Sequence, residues 1–320
     1  MSKRITALRV CVFICLLLFL MPGLSNCGPV SQPVETGGGN LSDSETQAGT
    51  SEIGELESSV SDPDALSYVY FFKVGKADAI LLRSGGKAVM IDSGEENDTL
   101  YLLSELERLG VTSLDCLILT HFDNDHIGAV PGILDAIPVG EILTPDYARD
   151  SDLYRAVMAS AEEHDVPLSR LNADRRLTLG SSALNVWVSS FEGETDPDTG
   201  CLVNDGDDND YSLICEWLCG SVRMLFLGDA EKDLLTEVLD TRTLTVYNLI
   251  KLPHHGSYTK ALSKLLNRTV PTCTVSCVDN LTAMETQLTQ LLSDMGIRSL
   301  LTCDGTVQTA TDGNVLAVDQ

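Results

Sequence analysis

Thr120-His121-Phe122-Asp123-Asn124-Asp125-His126-Ile127-Gly128 follows directly on the apolar run Cys116-Leu117-Ile118-Leu119. The run reads as a buried strand, and its end delivers two imidazoles and two carboxylates within six residues. Imidazole nitrogen and carboxylate oxygen together suit zinc, manganese or iron. A loop between a strand and a helix lets such groups converge on metals without unusual rotamers. The chain has five histidines in all, so two in this one loop set it apart from an ordinary solvated acidic turn.

Three further β-prone runs end in similar residues. Lys251-Leu252-Pro253-His254-His255-Gly256-Ser257 carries two more of the five histidines. Adjacent residues at a strand end point in different directions, so one of the pair ligates and the other faces substrate or a supporting partner. Phe226-Leu227-Gly228-Asp229-Ala230-Glu231 places a carboxylate after a strand, with Gly228 allowing a close turn. Alone, Asp229 reads equally well as a helix N-cap. In Met90-Ile91-Asp92-Ser93-Gly94, Asp92 is placed either to orient a ligand histidine or simply to make a turn. The four strand ends together point to one metal site.

The surrounding pattern predicts where those ends meet. Runs 68–73, 79–83 and 88–91 are β-prone and separated by turn signals at Gly75 and Gly85-Gly86. Leu100, Leu103, Leu106 and Leu109 have helical spacing that stops at Gly110, which predicts a helix over 99–109. A helix over 152–164 and strands at 177–179 and 184–188 follow. The second half repeats the plan: strands at 212–217 and 222–227, a helix over 230–239, a strand at 248–252, a helix over 259–266, a strand at 273–276, a helix near 285–295, then short terminal strands. Two groups of strands with interspersed helices predict an α/β fold, two sheets packed face to face with helices outside.

The first 66 residues differ from this body. Lys3, Arg4 and Arg9 precede the apolar run 10–21, then Pro22-Gly23-Leu24-Ser25-Asn26-Cys27, the order of a secretory signal. Leu24-Ser25-Asn26-Cys27 resembles a bacterial lipobox, whose Cys is lipidated after cleavage; Asn26 stands where that pattern prefers Gly, Ala or Ser. The expectation is an exported chain anchored at the cell surface through Cys27, or otherwise secreted. Residues 28–66 hold eight Asp and Glu and no Lys or Arg, with the run Gly37-Gly38-Gly39, and read as a disordered acidic tether. The domain then covers 67–320. Beyond Cys27, seven cysteines remain, an odd number with no CxxC pair, so a thiolate zinc site is not expected. A formal net charge of −26 argues against stable nucleic-acid binding through a basic surface.

The segment Phe72-Lys73-Val74-Gly75-Lys76-Ala77-Asp78-Ala79 looks like a DVGQGDA motif, with Lys76 and Ala77 in place of Gln and Gly. The stretches HFDNDHIG, NDYS, LGDAE and LPHHGS follow in the order seen in the same group. From about residue 68 to 318 the chain resembles the metallo-β-lactamase superfamily, and within it the hydrolase domain of ComEC-type DNA-uptake proteins. The later His-Pro of that group is absent, since Asn280 is followed by Leu281-Thr282-Ala283. The resemblance implies an αββα four-layer sandwich holding two divalent metal ions, zinc or manganese. It implies that His121 and Asp123 hold one metal, that Asp125, His126 and one of the paired histidines hold the other, and that Asp229 bridges them. His255 is the favoured ligand because it stands directly before a Gly, which leaves His254 for substrate or proton transfer. Asn209 falls in the region of the superfamily's middle histidine, and Asp125 would also orient the attacking water.

The activity expected from this resemblance is phosphodiester hydrolysis, on nucleic acid or a cell-wall polymer, because a two-metal clamp fits in-line displacement at an anionic centre. Hydrolysis of a lactone, β-lactam or other acyl bond is the alternative reaction. A tethered protein that holds metal without turnover is the alternative class.

Overall fold

Strands in the first half of the chain carry apolar side chains on both faces. Phe71, Leu82 and Ile91 turn into one core, while Tyr70, Leu81 and Met90 turn into another. Period-two alternation with both faces buried means that each sheet is covered twice.

The computed structural model describes residues 51–62, 65–190, 202–203 and 209–320. The signal, the lipobox at Cys27, the tether up to residue 50 and Cys201 lie outside them. The strands are β1 (Ser67–Phe71), β2 (Ile80–Ser84), β3 (Lys87–Ile91), β4 (Cys116–Ile118), β5 (Ile142–Pro145), β6 (Tyr147–Ala148), β7 (Leu168–Leu171), β8 (Arg175–Leu179), β9 (Ser182–Trp187), β10 (Leu202–Val203), β11 (Ile214–Cys219), β12 (Val222–Phe226), β13 (Leu249–Lys251), β14 (Cys273–Ser276), β15 (Arg298–Leu301), β16 (Val307–Thr311) and β17 (Leu316–Asp319). The helices are α1 (Glu52–Ser59), α2 (Thr99–Arg108), α3 (Asn124–Ile127), α4 (Val130–Ala136), α5 (Asp152–Glu163), α6 (Lys232–Thr241), α7 (Lys260–Thr269) and α8 (Thr286–Asp294).

One sheet has the order β17-β16-β1-β2-β3-β4-β5-β7 and the other β15-β14-β13-β12-β11-β9-β8. Between them lies a core that includes Phe71, Ile80, Trp217, Met224 and Phe226. The outer face of the first sheet packs on α2, α4 and α5, and that of the second on α6, α7 and α8. This is the αββα sandwich predicted above. Strands β3, β4, β5 and β7 run parallel in one sheet, and β12, β13, β14 and β15 in the other. In open α/β sheets, sites form outside the carboxyl ends of parallel strands. Asp92, the His121 loop, Asp229 and the His254-His255 pair follow the carboxyl ends of β3, β4, β12 and β13.

One boundary is corrected. The tether reading ran to residue 66, but Glu52–Ser59 is a helix that docks on the body. Ser51 Oγ accepts from Gly54 N at 3.0 Å, and Asp319 accepts from the first-turn amides of Glu52 and Ile53 at 3.0 and 3.2 Å. Ile53 and Leu56, one turn apart, are buried with Leu66, Ala310 and Ala317. Two apolar residues at helical spacing are invisible in a compositional average. Helix α6 also begins later than the pattern suggested: its N-cap is Glu231, so Asp229 is not the capping residue. Segment 130–145 forms α4 and β5. Cys116, Cys215, Cys219, Cys273, Cys277 and Cys303 are free thiols, all but Cys303 buried, which fits cysteine used as a small apolar residue. Among the described residues no helix is long and apolar enough to cross a membrane.

Candidate metal centre

The first sheet brings Asp92 and the His121 loop together through short backbone bonds. Asp92 adopts a left-handed φ of 57°, and its N–H donates to the Ile118 carbonyl at 2.8 Å. Its carboxylate accepts from Thr120 N and Thr120 Oγ1, each at 2.8 Å, and lies 2.8 Å from His126 Nδ1. A carboxylate on Nδ1 fixes the ring and turns Nε2 inward, the orienting role anticipated for Asp92. Phe122 N–H donates to Tyr147 Oη at 3.1 Å and its ring packs on Tyr147 at 4.7 Å, which anchors the loop from the opposite side. Asp123 occupies the N-cap position of α3 without capping it. Its carboxylate points instead to His121 Nε2, 3.5 Å away, and to the Arg149 guanidinium.

The second sheet supplies the remaining groups through a strained turn. His254, His255 and Gly256 have φ of 45°, 53° and 93° in succession. Left-handed backbone at non-glycine residues costs on the order of 1–3 kcal/mol each and persists only where surroundings hold it. Here His254 N donates to Gly228 O at 3.2 Å, and Gly256 N to Pro253 O at 3.0 Å. The turn sends the two rings apart, as expected of neighbours at a strand end. His255 is buried: its Nδ1 donates to Cys277 O at 2.9 Å, and its Nε2 lies 3.2 Å from Asp125 Oδ2 and 3.3 Å from Asp229 Oδ2. His254 is half-exposed, with Nδ1 3.0 Å from Glu231 Oε1.

Asp125, His126, Asp229 and His255 therefore converge, each offering one donor atom, and the four atoms all lie within 4.8 Å of one another. His121 adjoins them, its ring centroid 4.0 Å from that of His126. Asn209 lies beside this group: its amide nitrogen donates to Glu231 Oε1 at 3.1 Å, a bond that does not use the carbonyl oxygen by which an asparagine would ligate a metal. Burial alone would lower the pKa of His126, but the carboxylates of Asp229 and Asp92 outweigh it and hold the ring well above the usual value. His255 is likewise pushed up to about 9 against its burial, by Asp125 and Asp229. Burial raises the carboxyl of Asp229, yet His126 and His255 bring it well below the carboxylate range. Such a pocket concentrates positive charge. His121 Nε2, His126 Nε2 and Asp229 Oδ1 are buried and take no hydrogen bond. An orphaned buried polar atom costs about 1–3 kcal/mol, so three on residues that adjoin one another mark a site that a cation completes. Nitrogen and oxygen donors of this mixture fit divalent transition metals.

Sequence reasoning missed the support beneath these donors. Lys251, the last residue of β13, is fully buried; its ammonium pairs with Asp78, reaches Gly228 O at 3.1 Å and lies 3.7 Å from Asp229 Oδ1. Asp78 is equally buried, with Oδ1 3.7 Å from His255 Nδ1. A Lys ending an apolar strand immediately before Leu-Pro-His-His was the available signal for this pair. Glu231 and Arg149 carried none, because each meets its partner only through the fold.

The metallo-beta-lactamase superfamily model matches residues 73–275. Over 209 residues the chain is 28% identical to recombination protein 2 of Haemophilus influenzae, covering 62% of this chain and 22% of that protein. It is 29% identical over 156 residues to ComE operon protein 3 of Bacillus subtilis, covering 49% and 19%, and 23% identical over 211 residues to competence protein ComA of Neisseria gonorrhoeae, covering 65% and 26%. The chain thus spans about a fifth to a quarter of the length of these relatives. With the αββα layers, the donor cluster at the strand ends and this match over most of the body, the chain belongs to the metallo-β-lactamase superfamily, with relatives among the competence proteins.

Proposed function

We propose that this chain is a metal-dependent phosphodiesterase displayed at the cell surface. The observation that carries the reading is the convergence of Asp125, His126, Asp229 and His255, with His121 and Asp123 alongside, on a pocket that favours positive charge. His121 and Asp123 would hold one divalent metal and Asp125, His126 and His255 a second, with the Asp229 carboxylate available to either. When bound, such metals supply Lewis acidity toward a phosphoryl oxygen and lower the pKa of water. The protein's own groups do the rest. Asp125 orients the attacking water. Glu231 holds His254 Nδ1, which leaves the other ring nitrogen to pass a proton to the departing oxygen. Asp92 and the Cys277 carbonyl fix His126 and His255 in the orientations the site needs.

The lipobox-like Cys27 supports a surface location, and the competence and recombination names of the relatives favour a nucleic-acid phosphodiester over a β-lactam. The test is elemental analysis of bound metal together with turnover of bis(p-nitrophenyl) phosphate, single-stranded DNA and a chromogenic β-lactam. About two metals per chain, with diester turnover abolished in Asp125→Ala at an unchanged thermal transition, is the expected result. Turnover of the β-lactam alone would replace the reading with acyl hydrolysis, and metal without any turnover would leave a binding protein.

A further inference from the structure

We infer that Arg149 is the residue that reads the substrate's negative charge; the inference rests on the phosphodiesterase reading above. The donors that gather at the centre differ sharply in exposure. His121, His126, Asp229 and His255 are buried, whereas the side chains of Asp123 and Asp125 are 35% and 25% exposed and those of Glu231 and His254 are 38% and 32% exposed. These four half-open groups mark the approach to the centre, and three of them are carboxylates.

Arg149, 34% exposed, joins this rim through Asp123. Of the half-open groups it is the one that is cationic at every pH. A phosphodiester entering past three carboxylates needs such a charge, and a protein of net charge −26 supplies little elsewhere.

The placement is built rather than incidental. Arg149 directly follows β6, which pairs in parallel with β10. Tyr147 of β6 accepts from Phe122 N at 3.1 Å, so the same short strand that carries Arg149 holds the metal-binding loop. Arg149 Nη1 takes Asp123 Oδ1, while Asp123 Oδ2 faces His121 Nε2 at 3.5 Å. The guanidinium therefore lies beside Asp123, the most exposed of the proposed metal ligands. A guanidinium carries five N–H donors in a planar fork, a geometry matched to carboxylate and phosphoryl oxygens alike.

The test compares full-length wild type, Arg149→Met and Arg149→Lys. For each, KM and kcat on bis(p-nitrophenyl) phosphate, bound metal by elemental analysis, and binding of inorganic phosphate by calorimetry are measured. In Arg149→Met the expected result is a KM raised about tenfold or more, kcat within about threefold, unchanged metal content and phosphate affinity reduced by a factor similar to the KM change. Arg149→Lys should recover part of the loss. Unchanged KM and phosphate affinity would overturn the inference. So would a fall in metal content and kcat at constant KM, which would make Arg149 a positioning residue for Asp123 alone. If the wild type turns over no diester, the phosphodiesterase reading fails by itself, and calorimetry decides Arg149: a lower phosphate affinity in Arg149→Met supports its role and an equal affinity overturns it.

Discussion

At the scale of single residues, the site is governed by which atom each side chain has already committed. His126 gives Nδ1 to Asp92, and His255 gives Nδ1 to the Cys277 carbonyl, so both present Nε2 to the centre. Replacing Asp92 with Asn keeps the shape but weakens the anionic partner of His126. Metal affinity, measured by competition with a chelator, should fall about 10–100-fold. The paired histidines make a sharper comparison. His255→Ala should lose bound metal, whereas His254→Ala should keep it and lower kcat about 100-fold, the scale of a lost proton-transfer group. Equal metal loss in both variants would remove the distinction between the inward and outward ring. The residue types at these positions were legible from their concentration at strand ends. The assignment of His255 over His254 came only from the resemblance, until the left-handed turn showed which ring points inward.

At the scale of elements, most of the sandwich was legible because its strands and helices carry their own periodicity. The helix expected over 99–109 is observed at Thr99–Arg108, and the strand expected over 273–276 at Cys273–Ser276. Helix α1 was not legible, since Ile53 and Leu56 lie in a segment whose Ser, Gly and Glu content outweighs them. Its docking is tertiary: Asp319 at the far end of the chain caps it, and Glu52 Oε2 accepts from Val318 N at 3.1 Å. Ile53→Ala should destabilise the protein by about 2 kcal/mol, the lower end expected for a peripheral cluster. Denaturant titration measures it, and a change below about 0.5 kcal/mol would mean that α1 contributes as little as an ordinary surface segment.

At the scale of the whole molecule, the centre is also a joint between the two sheets. Asp78 follows β1 in the first sheet and Lys251 ends β13 in the second, and their buried ion pair crosses the interface beneath the donors. Burial opposes the charge on Lys251, but Asp78 and Asp229 hold its pKa above the ordinary lysine value. Lys251→Met strands a buried carboxylate and should cost about 3–5 kcal/mol. The double variant Lys251→Met with Asp78→Asn removes the pair as a unit and should recover much of that loss. Thermal or denaturant unfolding of the four proteins in the cycle measures the coupling, and simple additivity would show that the pair does not act as one unit.

The sequence by itself determined the donor chemistry, the order of the four strand ends and the two-sheet architecture, because those depend on residue type and on periodicities of two and 3.6 along the chain. It also carried the resemblance from which the family could be expected. Only the tertiary structure decided which imidazole turns inward, that Asn209 turns to Glu231, that Lys251 supports Asp229, and that Arg149 meets Asp123. These are contacts between residues 22 to 130 positions apart. Their distances are set by how two sheets pack and by left-handed turns at the ends of β3 and β13, and no local pattern encodes such packing.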